Sequence, residues 1–120
     1  MFLETVAIKE VHDDVEGALT ANCSHREICW LKTAPVQTVA GQVALKTALV
    51  TLVAHCFDTI ALKPQQVEIF RHPDGAPHLA PAADLPAALI DALTTRVRVS
   101  ISHTREYAVG LAVLSGPNKG

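Results

Sequence analysis

The chain has 120 residues, with 10 Lys+Arg against 12 Asp+Glu and a formal net charge of −2. That is one domain's worth of protein, and it lacks the basic excess of a general nucleic-acid binder or of a chain held to membranes by charge alone. The hydrophobic fraction is 49%, only 18% of residues are charged, and the mean hydropathy is +0.26. A domain of this size buries about two-thirds of its unfolded surface, so some apolar surface is predicted to face a partner chain. Cys23, Cys29 and Cys56 are an odd set without framework spacing, which predicts free thiols in a reducing cytoplasm. The N-terminus has no basic start followed by an apolar core and does not read as a signal peptide. The longest apolar run, Val43 to Phe57, is interrupted by Lys46 and His55. It falls short of the roughly 20 residues of a membrane span and reads as a buried helix.

In chain order, Val6, Ile8 and Val11 among polar residues predict a first strand over Phe2–Val11. An acidic stretch from His12 leads to Ser24, which is an N-cap candidate with Glu27 three residues later, as a capping box requires. A short helix follows through Leu31, with Pro35 beyond its end. Val36–Phe57 carries the strongest helical pattern. It is apolar on nearly all sides and so predicted to be buried in a core or against a neighbouring subunit. Gln65–His72 alternates like a strand, and His72–Pro77 forms a turn in which Gly75 is available for positive φ. Leu85–Thr95 reads as a short helix with Asp84 as its cap and Pro86 at its first position. Arg96–Ser102 alternates strictly, and Tyr107–Leu114 is a nearly continuous apolar strand. His103 to Glu106 joins the two as a hairpin. Residues 1–114 thus read as a single α+β domain with helices on an antiparallel sheet, and 115–120 as a flexible tail.

Chemistry is sparse. A Ser-His-Asp triad is not arguable, because Ser102 and His103 are adjacent and no GxSxG elbow exists. Cys23, His25 and Cys29 lack a second ligand pair, and no C-x-x-C or H-E-x-x-H occurs, so no metal ligands are assigned. Ser102-His103-Thr104 closes a strand, where a histidine can donate to an anion. The competing reading is a hairpin whose polar groups satisfy its own backbone. Lys46, inside a buried helix, needs a carboxylate, a phosphate or a route to water. No Asp or Glu lies between Glu27 and Asp58.

Val99–Leu114 resembles the C-terminal signature of the holo-acyl-carrier-protein synthases, the small 4′-phosphopantetheinyl transferases. Their pattern S-x-S-H-[ST]-x-x-Y-A is met by Ser100, Ser102, His103, Thr104, Tyr107 and Ala108. Val67–Phe70 with Asp74-Gly75-Ala76-Pro77 resembles the family's strand and G-x-P turn. Arg26-Glu27-Ile28 resembles its R-E-I element, and Ala40–Ala48 its A-x-R-F-A-x-K-E-A helix core. Ile8, Glu10 and Val11 match its G-x-D-I-V-E-I.

The resemblance implies a phosphopantetheinyl-transferase-like α+β fold, a trimer with sites between subunits, coenzyme A as donor, and a serine of an acyl or peptidyl carrier protein as acceptor. It implies Lys46 and His103 as catalytic candidates, and Gly75, Pro77, Ser102, His103 and Thr104 as CoA-binding candidates. In the family an Asp on the first strand and a Glu on the long helix hold Mg²⁺ on the CoA pyrophosphate. Ala7 and Thr47 stand at those positions here, Gln42 at the helix arginine and Thr51 at the second helix lysine. Methyl and hydroxyl groups are poor replacements for carboxylates on hard Mg²⁺. Two readings follow. One is a family transferase impaired as a stand-alone Mg²⁺-dependent enzyme. The other is a pseudoenzyme that binds CoA, a carrier protein or a catalytic paralogue, as a homotrimer or hetero-oligomer.

Overall fold

The structure, a computed structural model, describes residues 1–57 and 59–115. The elements in order are β1 (Phe2–Ala7), α1 (Ile8–Asp13), α2 (Val15–Asn22), α3 (His25–Leu31) and α4 (Val36–Cys56). After a 3-10 turn at Pro64–Gln66 come β2 (Val67–Arg71), β3 (Pro77–Pro81), α5 (Ala87–Asp91), a π turn over Ala92–Arg96, β4 (Val97–His103) and β5 (Tyr107–Leu114). The strands make two antiparallel sheets. One is three-stranded in the order β1-β5-β4, and the other is the β2-β3 hairpin. The last strand therefore sits in the middle of the main sheet, clasped to the first.

Helix α4 is the axis of the fold. Its 21 residues hold twelve buried positions, from Val39 to Val53. One core lies between α4, both sheets and α5, and includes Leu45, Leu49, Leu52, Ile69 and Leu89. The second lies on the opposite side of α4, where α1, α2 and α3 contribute Val11, Leu19 and Leu31 against Val39 and Val43. By length and composition α4 could cross a bilayer, yet 67% of its apolar window is buried inside the fold. The sheet comes close to α4 at Gly110. A Cβ there would stand 2.5 Å from Ala44 C and Leu45 Cα, so only glycine permits this approach.

Several expectations are corrected. The first strand ends at Ala7, not Val11, because Ile8 and Val11 have the three-residue spacing of a helix face and both are buried on α1. The acidic stretch after His12 is helical. The Asp14 side chain accepts from Gly17 N–H at 2.9 Å and caps α2. β3 is an additional strand, bounded by prolines, with Leu79 as its buried anchor. Pro86, not Asp84, is the N-cap of α5. Ser115, the first residue of the expected tail, is hydrogen-bonded: its N–H donates to Arg96 O at 2.8 Å and its O accepts from the Arg96 guanidinium. The rest of that tail, 116–120, lies outside the described residues.

Other expectations hold. The Ser24 capping box is complete: Ser24 Oγ accepts from Glu27 N–H, and Glu27 Oε1 accepts from Ser24 N–H. Gly75 takes φ +91° in a turn closed by Gly75 N–H to His72 O at 2.8 Å and His72 N–H to Ala76 O at 2.9 Å.

Candidate functional site

Lys46 is fully buried, and its ammonium finds a carboxylate. Nζ donates to Glu27 Oε1 at 2.5 Å, to Val67 O at 2.7 Å and to Pro64 O at 2.8 Å. An ammonium has three N–H donors, and all three are used. Glu27, also fully buried, accepts four bonds: Ser24 N–H and Lys46 on Oε1, Gln42 Nε2 and Ile69 N–H on Oε2. Gln42 Nε2 also donates to Ile69 O at 2.8 Å. This network ties α3, α4 and β2 together. It leaves Lys46 no donor for a phosphate, so the catalytic role expected of Lys46 gives way to a structural one. The residue that sequence reasoning missed is Glu27 as hub. Its capping role was visible, and the only signal for the second role was the unmet need of Lys46.

The Ser102-His103-Thr104 turn is open. All three residues are exposed. The Thr104 hydroxyl accepts from Tyr107 N–H at 3.1 Å and Glu106 N–H at 3.3 Å, and Thr104 N–H donates to Tyr107 O at 2.7 Å. Thr104 therefore builds the turn, as such motifs do, while Ser102 and His103 remain free at the strand end. By register, His103 opposes Ala108 and Ser102 opposes Val109. The two side chains thus leave opposite faces of the sheet, so the turn does not aim both at one point.

Gly75 and Pro77 lie elsewhere. Pro77 opens β3 and borders a cleft of about 310 Å³ with Leu79, Leu93, Thr94 and Val97–Val99. From Val99 to His103 is four residues along β4, roughly 13 Å at strand rise. Within one protomer Pro77 therefore borders the first half of β4, while His103 ends that strand.

Ala7 and Thr47 stand where the resemblance places metal-holding carboxylates, and no metal ligand is expected of them. Ala7 ends β1 and is the N-cap of α1, with no side-chain bond to that helix. The Thr47 hydroxyl donates to Val43 O at 3.0 Å, within its own helix. Glu4 sits mid-strand opposite Gly110, and Glu10 is exposed on α1. Among the described residues, no three His, Cys, Asp or Glu side chains gather as a metal site. Ala7 and Thr47 themselves offer no carboxylate.

A second cleft, of about 390 Å³, opens beside the His103 turn. It is lined by Ala7, Ile8, Lys9, Arg105, Glu106 and Tyr107, and Ile8 N–H donating to Glu106 O at 2.9 Å fixes its floor. The outer sheet face continues from it. Leu3, Thr5 and Ala7 pair with Leu111, Val109 and Tyr107, and Leu3 and Tyr107 are 56% and 50% exposed.

No protein-family model and no curated protein matches the chain. Solved structures do. The Chronobacterium ammoniagenes ACPS–CoA complex superposes with a TM-score of 0.76 at 18% identity, covering 98% of this chain and 96% of that one. A holo-[acyl-carrier-protein] synthase from Neisseria meningitidis gives 0.73 at 17% identity, over 96% and 98%. The Helicobacter pylori holo-[acyl-carrier-protein] synthase in complex with coenzyme A gives 0.70 at 21%, over 95% and 98%. The chain has the fold of the holo-[acyl-carrier-protein] synthases.

Proposed function

We propose that the chain belongs to the phosphopantetheinyl-transfer system, binding CoA and an acyl or peptidyl carrier protein, and that it does not carry out Mg²⁺-dependent transfer on its own. The observation that carries this reading is the full-length fold match to CoA-bound synthases, joined to the Ser102-His103 turn that stays exposed at a strand end. Ala7 and Thr47 support the second half, since neither offers a carboxylate. In the reading as an active transferase, the carrier serine oxygen attacks the phosphorus that bears pantetheine. The P–O bond to 3′,5′-ADP breaks, and a base takes the serine proton. His103 is the candidate base or anion donor. Gly75, Pro77, Ser102 and Thr104 remain candidates for shaping the CoA site.

Assembly supports the same reading. Pro77 borders the first half of β4 and His103 ends it in one protomer, and a second subunit is the simplest way to bring the two regions together. The outer face of the main sheet carries Leu3, Tyr107, Val109, Leu111 and Val113, an apolar stripe suited to another chain. A homotrimer is the family's arrangement, and a hetero-oligomer with a catalytic paralogue fits the missing carboxylates equally. Three free cysteines accord with a cytoplasmic location.

The test incubates the purified chain with CoA, Mg²⁺ and several apo carrier proteins and reads intact mass, with CoA binding followed in parallel. Binding without a phosphopantetheine mass gain is the expected result. A gain abolished by chelator would overturn the impaired reading, and absence of both binding and gain would remove the chain from this system. Leu111→Glu, on the outer face, is expected to lower the oligomeric mass in light scattering while leaving the circular dichroism unchanged. An unaltered mass would place the interface elsewhere.

A further inference from the structure

We propose that His72 and His78 form a two-imidazole site for a divalent transition-metal ion, zinc in the first place, at the base of the β2–β3 turn. Their ring centres are 4.9 Å apart, with the planes inclined at 58°. With Zn–N bonds of about 2.0–2.1 Å, and each ring centre about 1.1 Å beyond its nitrogen, a tetrahedral zinc ion holds two imidazole centres about 5 Å apart. The observed spacing is therefore that of a chelating pair. Both rings are exposed, and rotation about χ2, a soft torsion for histidine, turns a nitrogen of each toward a common point. Among the described residues, neither imidazole enters an ion pair within 4.0 Å. Histidines elsewhere have other company: His12 lies 4.0 Å from Asp13, His25 lies 3.9 Å from the Cys29 thiol, and His55 Nδ1 lies 2.9 Å from Thr51 O.

The hairpin fixes that spacing. His78 pairs with Phe70, and residues two apart share a strand face, so His72 is its diagonal neighbour across the ladder. The turn between them is closed by His72 N–H to Ala76 O and Gly75 N–H to His72 O. Asp74 Oδ1 accepts from Ala76 N–H at 2.9 Å, which commits this carboxylate to the turn. Two protein ligands leave two positions of a four-coordinate ion for water or an anionic group. His78 also lines the cleft of about 310 Å³ with Pro77 and Arg98, which puts the ion at the edge of that cleft. Arg98, and Arg71 donating to Gly75 O at 3.4 Å, are cations that oppose a bound ion and keep its affinity moderate. Imidazole nitrogen suits zinc, nickel and copper, whereas Mg²⁺ takes oxygen ligands. The site is thus independent of the missing carboxylates and of the CoA reading.

The test titrates zinc chloride calorimetrically into the reduced full chain. Saturable binding is expected, with a rise in thermal midpoint because the ion binds the native hairpin and not the unfolded chain, and EDTA is expected to reverse both. His72→Ala and His78→Ala are each expected to weaken binding by about tenfold or more, because a single imidazole loses the second, intramolecular contact. Both side chains are exposed, and an unchanged midpoint without zinc confirms that each variant folds. Cys29→Ser controls for the His25–Cys29 pair and is expected to leave the affinity unaltered. Unchanged affinity in either histidine variant, loss of zinc binding in Cys29→Ser, or no saturable binding by the parent would each overturn the site.

Discussion

Replacing Lys46 with methionine tests whether this lysine holds the fold or serves a ligand. The substitution keeps the stem's volume and removes the ammonium. Glu27 then stays buried and charged, with only Ser24 N–H, Gln42 Nε2 and Ile69 N–H on its oxygens, while Pro64 O and Val67 O lose their donor. Removing one partner of a buried ion pair costs about 3–5 kcal/mol, because the remaining charge is uncompensated. A domain has about 5–15 kcal/mol in total, so Lys46→Met is expected to remove roughly a fifth or more of it. In urea unfolding the midpoint should fall at unchanged m, and the thermal midpoint should drop by roughly 10–20 °C. Adding Glu27→Leu removes the orphaned charge and is expected to restore part of the loss. Recovery stays incomplete because Gln42, Ser24 N–H and Ile69 N–H then lack their acceptor. A phosphate-binding lysine predicts the reverse. Stability would stay within about 0.5 kcal/mol of the parent, and only ligand affinity would fall. An unchanged urea midpoint for Lys46→Met would refute the structural assignment.

Two further outcomes follow from the same packing. Burial, and then the nearby Glu27 carboxylate, push the Cys23 thiol up to about 12 from 9.0, with Lys46 acting in the opposite direction. Between those values the native chain keeps a proton that the unfolded thiol loses. Stability should therefore be intact below about pH 9 and fall as pH rises, with a slope approaching 1.4 kcal/mol per unit, about one proton's worth. Cys23→Ala should remove that slope, and an identical profile for the variant would disprove the linkage. Gly110→Ala places a methyl against the backbone of Ala44 and Leu45, which cannot rotate away. A loss of about 2–3 kcal/mol in denaturant unfolding is expected, and no loss would mean that α4 has room to lift from β5.

The parts of the fold that could be read from the sequence were those set by local chemistry. The bounds of β5 came from a continuous apolar run, and those of α3 from a capping box whose two halves lie three residues apart. The parts that could not were set by neighbours distant in the chain. α2 begins inside an acidic stretch, and its identity depends on Leu19 reaching the core beneath α4. β3 has prolines at both ends, and it is a strand because β2 pairs with it from Val67–Pro81 to Arg71–Pro77. The candidate site divides in the same way. The Ser102-His103-Thr104 turn is a contiguous motif and was recognisable. The partner of Lys46 is nineteen positions earlier, and nothing periodic connects the two. Only the tertiary packing of α3, α4 and β2 brings Glu27 to the ammonium.

The central place of β5 governs the order in which the molecule can be completed during synthesis. α4 emerges from the ribosome long before Tyr107–Leu114, the strand that covers it beside β1 and β4. At about 5–20 residues per second, the nascent chain spends several seconds with a helix of membrane-spanning length and its main sheet incomplete. A cell making this protein must shield that helix from bilayers and from other chains until its final strand arrives. A chain cut before residue 107 would lack the strand that joins β1 to β4 and would leave that side of α4 uncovered.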